Sequence, residues 1–222
     1  MIKLELFPTL VGIFEYKDKE IVKETFTKKY SHLKHNQVGE MYGQNRVHHD
    51  QDFEEFYKFV VASAGEYLKS MNINTDNFYL VVSKSWMSFV NKEHYVPEHN
   101  HADHHLSFTY YVDVPENSQD ILTLKDTRIN LNEPFPGAFK KDMGEPPNCT
   151  EANQYNESNF NLKVTEGMLC IFPSKLNHEV LPAKAQKERR CIAGDFLLIY
   201  KNVNNKNPWG IFTPENWKFY QT

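Results

Sequence analysis

Glycine and cysteine are both scarce in this 222-residue chain, at 9 and 3 residues. Cys149, Cys170 and Cys191 are odd in number and form no C-x-x-C pair, which argues against a disulfide framework or a thiolate zinc site and leaves reduced thiols as the expectation. No apolar run approaches the roughly 20 residues of a membrane span, and the opening Met-Ile-Lys-Leu-Glu-Leu-Phe is too mixed for a signal peptide. A cytosolic location follows, and the N-x-S/T sequons at Asn148 and Asn156 are then chance. Charge of one sign is missing too. With 25 Lys plus Arg against 29 Asp plus Glu, a net charge of −4 and no block of either sign, neither nucleic acid nor a membrane surface is indicated as a partner.

Aromatic residues are plentiful: 16 Phe, 12 Tyr and 3 Trp make up 14% of the chain, which suits a packed, β-rich domain. The length fits one domain over residues 1–222. Leu4 to Tyr16 reads as an opening strand bent around Pro8 and Gly12. Val22, Phe26, Tyr30 and Leu33 then recur at helical spacing among charges. A second helix carries the apolar stripe Phe53, Phe56, Tyr57, Val60, Val61, Ala64, Leu68 and Met71, with Asp52 as its expected cap and Glu55 three residues on.

After Asn72 the texture changes to short aromatic and β-branched runs between Pro, Asn and Asp turns. Strands are expected at 78–91, 95–101, 105–114, 120–125, 160–165, 167–172, 178–182 and 189–201. Eight in a row after two helices predict an all-β core with flanking helices: a jelly-roll barrel over about 78–201, backed by helices over about 17–72. Residues 126–160 lack apolar periodicity and read as a long insertion, either a functional lid or disordered.

Five of the ten histidines, His94, His99, His101, His104 and His105, fall within twelve residues. On a strand over 95–101, His99 and His101 project from the same face and can reach one metal ion. A bare H-x-H is a weak signal by itself. The next segment strengthens it, because Leu106, Phe108, Tyr110, Val112 and Val114 alternate with Ser107, Thr109, Tyr111 and Asp113, as a strand lining a pocket does. Further on, Gly167 and Met168 to Phe172 form a strand, Pro173 and Ser174 turn it, and His178 begins the next. Arg190 opens the last strand on the parity of Ile192, Gly194 and Phe196, and is expected to point inward with them.

These residues resemble the 2-oxoglutarate- and Fe(II)-dependent oxygenases, and specifically a bacterial and phage branch with an H-x-H motif. The shared segments span most of the chain: ELFPT, SWMSFVN, HNHADHHLSFTYYVDVP, LTLKDTR and GMLCIFPSKLNHEVLP followed by the arginine. The resemblance implies a double-stranded β-helix fold, Fe(II) and 2-oxoglutarate as cofactor and co-substrate, and His178 as the distal metal ligand. It also implies an arginine gripping the far carboxylate of 2-oxoglutarate, for which Arg190 is the first candidate and Arg189 the second. Tyr111 would supply another hydrogen bond to that carboxylate, while Trp86 and Ser88 would line the pocket and Arg128 would sit at its mouth.

The family's usual H-x-D is not found cleanly. Either His99, His101 and His178 form a three-histidine site, or His101, Asp103 and His178 restore a carboxylate. The first is preferred, because Asp103 leaves only two residues before the next strand. His104 and His105 are then turn or rim residues. The implied reaction is oxidation of a C–H bond of an unspecified substrate, a peptide or protein side chain among the options, with succinate and CO2 released. Two alternatives stay open: a cupin-like three-histidine dioxygenase that does not use 2-oxoglutarate, and a non-catalytic metal-binding jelly roll.

Overall fold

Two amphipathic helices and two antiparallel sheets account for the apolar patterning. This computed structural model describes residues 7–32, 41–42, 46–115, 121–126, 153, 155–183, 185, 187–201 and 211–218. In chain order the elements are β1 (Gly12–Glu15), α1 (Lys19–Tyr30), β2 (Met41–Tyr42), α2 (Glu54–Ser70), β3 (Phe78–Val90), β4 (Val96–His99) and β5 (Leu106–Asp113). They continue with β6 (Ile121–Lys125), β7 (Asn159–Lys163), β8 (Met168–Pro173), β9 (Asn177–Val180), β10 (Arg189–Tyr200) and β11 (Ile211–Phe212). Most of the expected 126–160 insertion, Leu33, Arg128, Asn148 and Cys149 lie outside the described residues.

The start of α2 corrects one sequence expectation. Asp52 is not its cap. The Asp50 carboxylate instead accepts from the Asp52 N–H, closing a short 3-10 turn over Gln51–Phe53 that runs straight into α2. The stripe itself is buried as expected at Phe53, Phe56, Tyr57, Val60, Ala64 and Leu68, whereas Met71, beyond the helix end, is exposed. Each fully buried side chain of this kind stabilises the fold by about 1.5–3 kcal/mol.

One sheet runs β1-β8-β5-β10-β3-β2 with β11 beside β10, and the other runs β4-β9-β6-β7. From β3 to β10 the chain switches repeatedly between the two sheets, which is the winding of a jelly roll. The sheets do not close into one hydrogen-bonded cylinder. They face each other as a sandwich, and every named strand pair is antiparallel apart from β10 with β11.

The larger sheet is apolar on both faces, but it meets different partners on each. Phe108, Tyr110, Val112, Leu169, Ile171, Ile192 and Phe196 pack against Val22 and Phe26 of α1 and Phe56, Tyr57 and Val60 of α2. The opposite parity, Tyr111, Cys170, Phe172 and Cys191, packs against Leu122 and Leu124 of the smaller sheet. Any side chain on the second parity therefore points between the sheets. Gly194 marks the tightest crossing on the first, since a Cβ there would lie 2.6 Å from the Phe108 ring and 2.7 Å from the Lys84 carbonyl oxygen. Cys170 and Cys191 are buried, and neither forms a disulfide among the described residues. No helix among the described residues is long and apolar enough to cross a membrane.

Candidate metal centre

Strand register brings the histidines together. His99 on β4 lies opposite His178 on β9, and His178 lies opposite Leu124 on β6, so the three residues form a row across the smaller sheet. β4 ends at His99, two residues earlier than the sequence suggested, and His101 follows in the connection to β5. Its N–H donates to the Ser174 carbonyl at 2.7 Å, which turns the chain back toward β9. Ring centroids lie 4.2 Å apart for His99 and His178, and 5.2 Å for His101 with each of the others. One ring nitrogen from each residue lies within 4.8 Å of the others, so a single ion can be reached by all three.

The second nitrogen of each ring fixes which atom is offered. His99 Nδ1 lies 2.8 Å from the Pro97 carbonyl oxygen, His178 Nδ1 lies 2.9 Å from the Leu176 carbonyl oxygen, and His101 Nδ1 lies 2.6 Å from Asp195 Oδ1. A carbonyl or carboxylate oxygen only accepts, so Nδ1 carries a proton in each ring, and in the neutral ring Nε2 is the atom left with a lone pair. Burial holds the His178 pKa down to about 4, against the effect of its bond to Leu176. Burial likewise lowers His99. Both rings are therefore neutral near pH 7, the form that binds a metal. Phe172 packs against His178 at 4.9 Å, and Trp86 packs against His101 at 5.6 Å.

Asp103 is exposed in the turn after His101 and is not part of the cluster. His105 is a turn residue whose Nδ1 accepts from the Leu198 N–H. His104 approaches Asp195 Oδ2 at 3.9 Å. Ser88 lies across from Cys191.

The arginine expectation is corrected. Arg190 does not point between the sheets: its Nε donates to Glu188 at 2.9 Å and its Nη1 to the Thr27 hydroxyl on α1 at 3.3 Å. Its parity partners Ile192 and Phe196 face the helices, and Arg190 faces with them. Arg189 takes the inward position instead. It is 2% exposed, its guanidinium carbon lies 5.7 Å from the Tyr111 ring centroid, and its Nε and Nη1 have no hydrogen-bond partner among the described residues. An unpaired buried guanidinium is costly unless something anionic completes it. Tyr111, which packs with Leu122, Leu124 and Phe172, joins Arg189 to the wall behind His178.

One residue of this site was not anticipated. Asp195 on β10 is fully buried, accepts from Ser107 Oγ at 2.6 Å as well as from His101, and has the Lys84 ammonium 3.0 Å from its other oxygen. Burial alone would raise its pKa, but the bonds from His101 and Ser107 and the charge of Lys84 hold it below the usual carboxylate range.

Three imidazole nitrogens within reach of one ion, with a buried arginine facing between the same two sheets, suit a metal ion and an anionic ligand. The profile of the 2OG-Fe(II) oxygenases matches residues 84–195, half of the chain, from just before the histidine-rich segment to Asp195. The chain belongs to this family. It is accordingly an oxidoreductase that depends on Fe(II) and 2-oxoglutarate. No curated protein shows significant sequence similarity to the oxygenase. Solved structures are similar in fold at low identity. A Pseudomonas putida prolyl-4-hydroxylase has a TM-score of 0.52 at 10% identity, covering 85% of this chain and 92% of its own. The non-haem alpha-ketoglutarate-dependent epimerase SnoN from nogalamycin biosynthesis has a TM-score of 0.57 at 11% identity, covering 85% and 76%. HygX from Streptomyces hygroscopicus, solved with nickel and 2-oxoglutarate bound, has a TM-score of 0.52 at 10% identity, covering 85% and 82%.

Proposed function

We infer that the oxygenase is a hydroxylase in which His99, His101 and His178 hold Fe(II) through Nε2 and Arg189, rather than Arg190, anchors 2-oxoglutarate. The observation that carries this reading is the pairing of three Nδ1-anchored imidazoles with an inward guanidinium whose Nε and Nη1 have no hydrogen-bond partner among the described residues. Both parts fit their groups. Neutral imidazole is a good Fe(II) ligand, and a planar guanidinium grips a carboxylate through two parallel hydrogen bonds.

Bound Fe(II) and 2-oxoglutarate supply O2-dependent oxidation of a substrate C–H bond, with 2-oxoglutarate converted to succinate and CO2. The protein's part is positional. The three histidines orient the ion, Arg189 fixes the distal carboxylate of the co-substrate, and the Tyr111 ring beneath the guanidinium keeps it from swinging. Leu122, Leu124 and Phe172 keep water from the space between these groups. We assign the helices and both sheets to one catalytic unit, because the sheet that carries Arg189 is backed by α1 and α2.

The substrate class we propose is a peptide or protein side chain, in line with the fold likeness to a prolyl-4-hydroxylase. Incubating the enzyme with Fe(II), ascorbate, 2-oxoglutarate and a peptide panel should yield succinate in step with hydroxylated product. Absence of 2-oxoglutarate binding to the metal-loaded protein would overturn the assignment of Arg189. Succinate formation coupled only to small non-peptide substrates would overturn the substrate class.

A further inference from the structure

The rings of His99, His101 and His178 are not held alike. His99 and His178 donate Nδ1–H to backbone carbonyls two residues before them, Pro97 and Leu176, a contact made within the same short stretch of chain. His101 lies beyond the end of β4 and has no such carbonyl. Its Nδ1–H reaches 94 residues along the chain to a carboxylate, Asp195 Oδ1, at 2.6 Å.

Asp195 is fixed from several directions. Ser107 on β5 donates to the same oxygen at 2.6 Å, and the Ser174 hydroxyl lies 3.0 Å from Ser107 Oγ. Lys84 on β3 stands 3.0 Å from Oδ2. The register of β3 and β10 shifts just after Asp195, and the Ser83 hydroxyl bonds the Asp195 carbonyl oxygen at 3.1 Å. A carboxylate with no exposed surface is costly to bury unless its partners recover that cost. Lys84 alone does not explain its position, since that side chain is one-third exposed and could pair at the surface.

We propose that Asp195 is a positioning residue that places, one hydrogen bond behind His101, the negative charge that the ligating atoms of this site lack. The proposal rests on the three-histidine reading given above. A metal bound by three neutral imidazoles keeps its full +2 charge, whereas a ligand carboxylate would partly neutralise it. Asp195 restores part of that balance from outside. It also holds His101 as the Nδ1–H tautomer and raises the basicity of Nε2, as a carboxylate behind a metal-bound imidazole does.

The test compares Co(II) affinity, measured by chelator competition on the full chain, for wild type, Asp195→Asn, His101→Ala and the double variant, each checked by its thermal midpoint. Asparagine keeps the size and an accepting oxygen and removes the charge. Asp195→Asn is expected to weaken Co(II) binding by about 10–100-fold, the usual cost of losing an outer partner, and to alter the visible Co(II) spectrum. In the His101→Ala background it should change neither. Equal losses in both backgrounds, or wild-type affinity in Asp195→Asn while His101→Ala has lost binding, would overturn the role of Asp195 alone. Failure of the wild type to bind Co(II) would overturn the metal site and the proposal with it. Should Asp195→Asn not fold, long-range 1H–15N spectra of the wild-type apoprotein decide: His101 protonated at Nδ1 is expected, and His101 protonated at Nε2 refutes the proposal.

Discussion

Exchanging the two adjacent arginines for methionine, one at a time, separates the parity of the last strand from its mere position in sequence. Arg189 is buried with Nε and Nη1 unpartnered among the described residues, so its replacement removes two charge-assisted hydrogen bonds to a bound carboxylate. At about 1.5–3 kcal/mol each, the loss is about 3–6 kcal/mol, or roughly 10²–10⁴-fold in the Kd of 2-oxoglutarate. The same change should stabilise the ligand-free protein. A buried cation whose Nε and Nη1 find no partner among the described residues is relieved, and the gain exceeds the cation–π contact with Tyr111, for a net of about 1–3 kcal/mol. Arg190→Met removes a mostly buried pair with Glu188 and a long bond to Thr27, so it should cost about 1–2 kcal/mol of stability and leave 2-oxoglutarate affinity unchanged. Titration calorimetry of 2-oxoglutarate into the metal-loaded variants, with thermal melts of the apoproteins, reads both effects. Loss of binding in Arg190→Met with retention in Arg189→Met would refute the reasoning.

Three further outcomes follow from the same geometry. His99→Ala should lose metal by more than the roughly 10–100-fold typical of an outer partner while Asp103→Ala retains it, as measured by Fe(II) carried through anaerobic gel filtration. Metal loss in Asp103→Ala alone would make the site a carboxylate one. Gly194→Ala should destabilise by about 1–3 kcal/mol, because the Lys84 carbonyl cannot retreat from a new Cβ, and should lower the thermal midpoint by about 2–12 °C. Of the bonds that Asp50 accepts from Lys29, Tyr30 and the Asp52 N–H, Asp50→Asn keeps an oxygen for the last but loses the one from Tyr30 and the charge that faces Lys29, which should cost about 1–2 kcal/mol at neutral pH. Burial raises the Asp50 pKa, but those bonds outweigh it and hold the folded-state value below the ordinary one. The wild-type advantage is therefore full above the unfolded pKa of about 3.9 and disappears as pH falls through the folded value, which denaturant melts over a pH series would show.

Much of the fold was legible because its strands are short and well punctuated. The expected 78–91 and 189–201 correspond to Phe78–Val90 and Arg189–Tyr200, and every other barrel strand begins and ends within two residues of its expected bounds. Boundary detail failed where a side chain other than the obvious one acts. Asp52 stands next to the helix, yet Asp50 makes the cap, because the 3-10 turn of Gln51–Phe53 moves the entry back by one short turn. The histidine trio was legible for a similar reason. His99 and His178 are placed by strand pairing, which fixes register, and only one register brings both imidazoles to the same row.

The direction expected of Arg190 and the missed Asp195 share one physical cause. Reading Ile192, Gly194 and Phe196 as the inward face of β10 assumes that the apolar side of a strand faces the cavity. In a sheet covered by helices on one side and by a second sheet on the other, the most apolar parity seals against the helices, and the mixed parity lines the space between the sheets. On β10 that mixed parity is Arg189, Cys191, Ala193 and Asp195, with the cation at one end and the anion at the other. A signal for Asp195 was present in the sequence: it is the only charged residue between Cys191 and Tyr200, and a charge within an otherwise apolar strand has to be paired. Pairing it with a histidine of the β4–β5 connection needed the fold, because His101 and Asp195 are 94 residues apart and meet only where that connection passes between the two sheets.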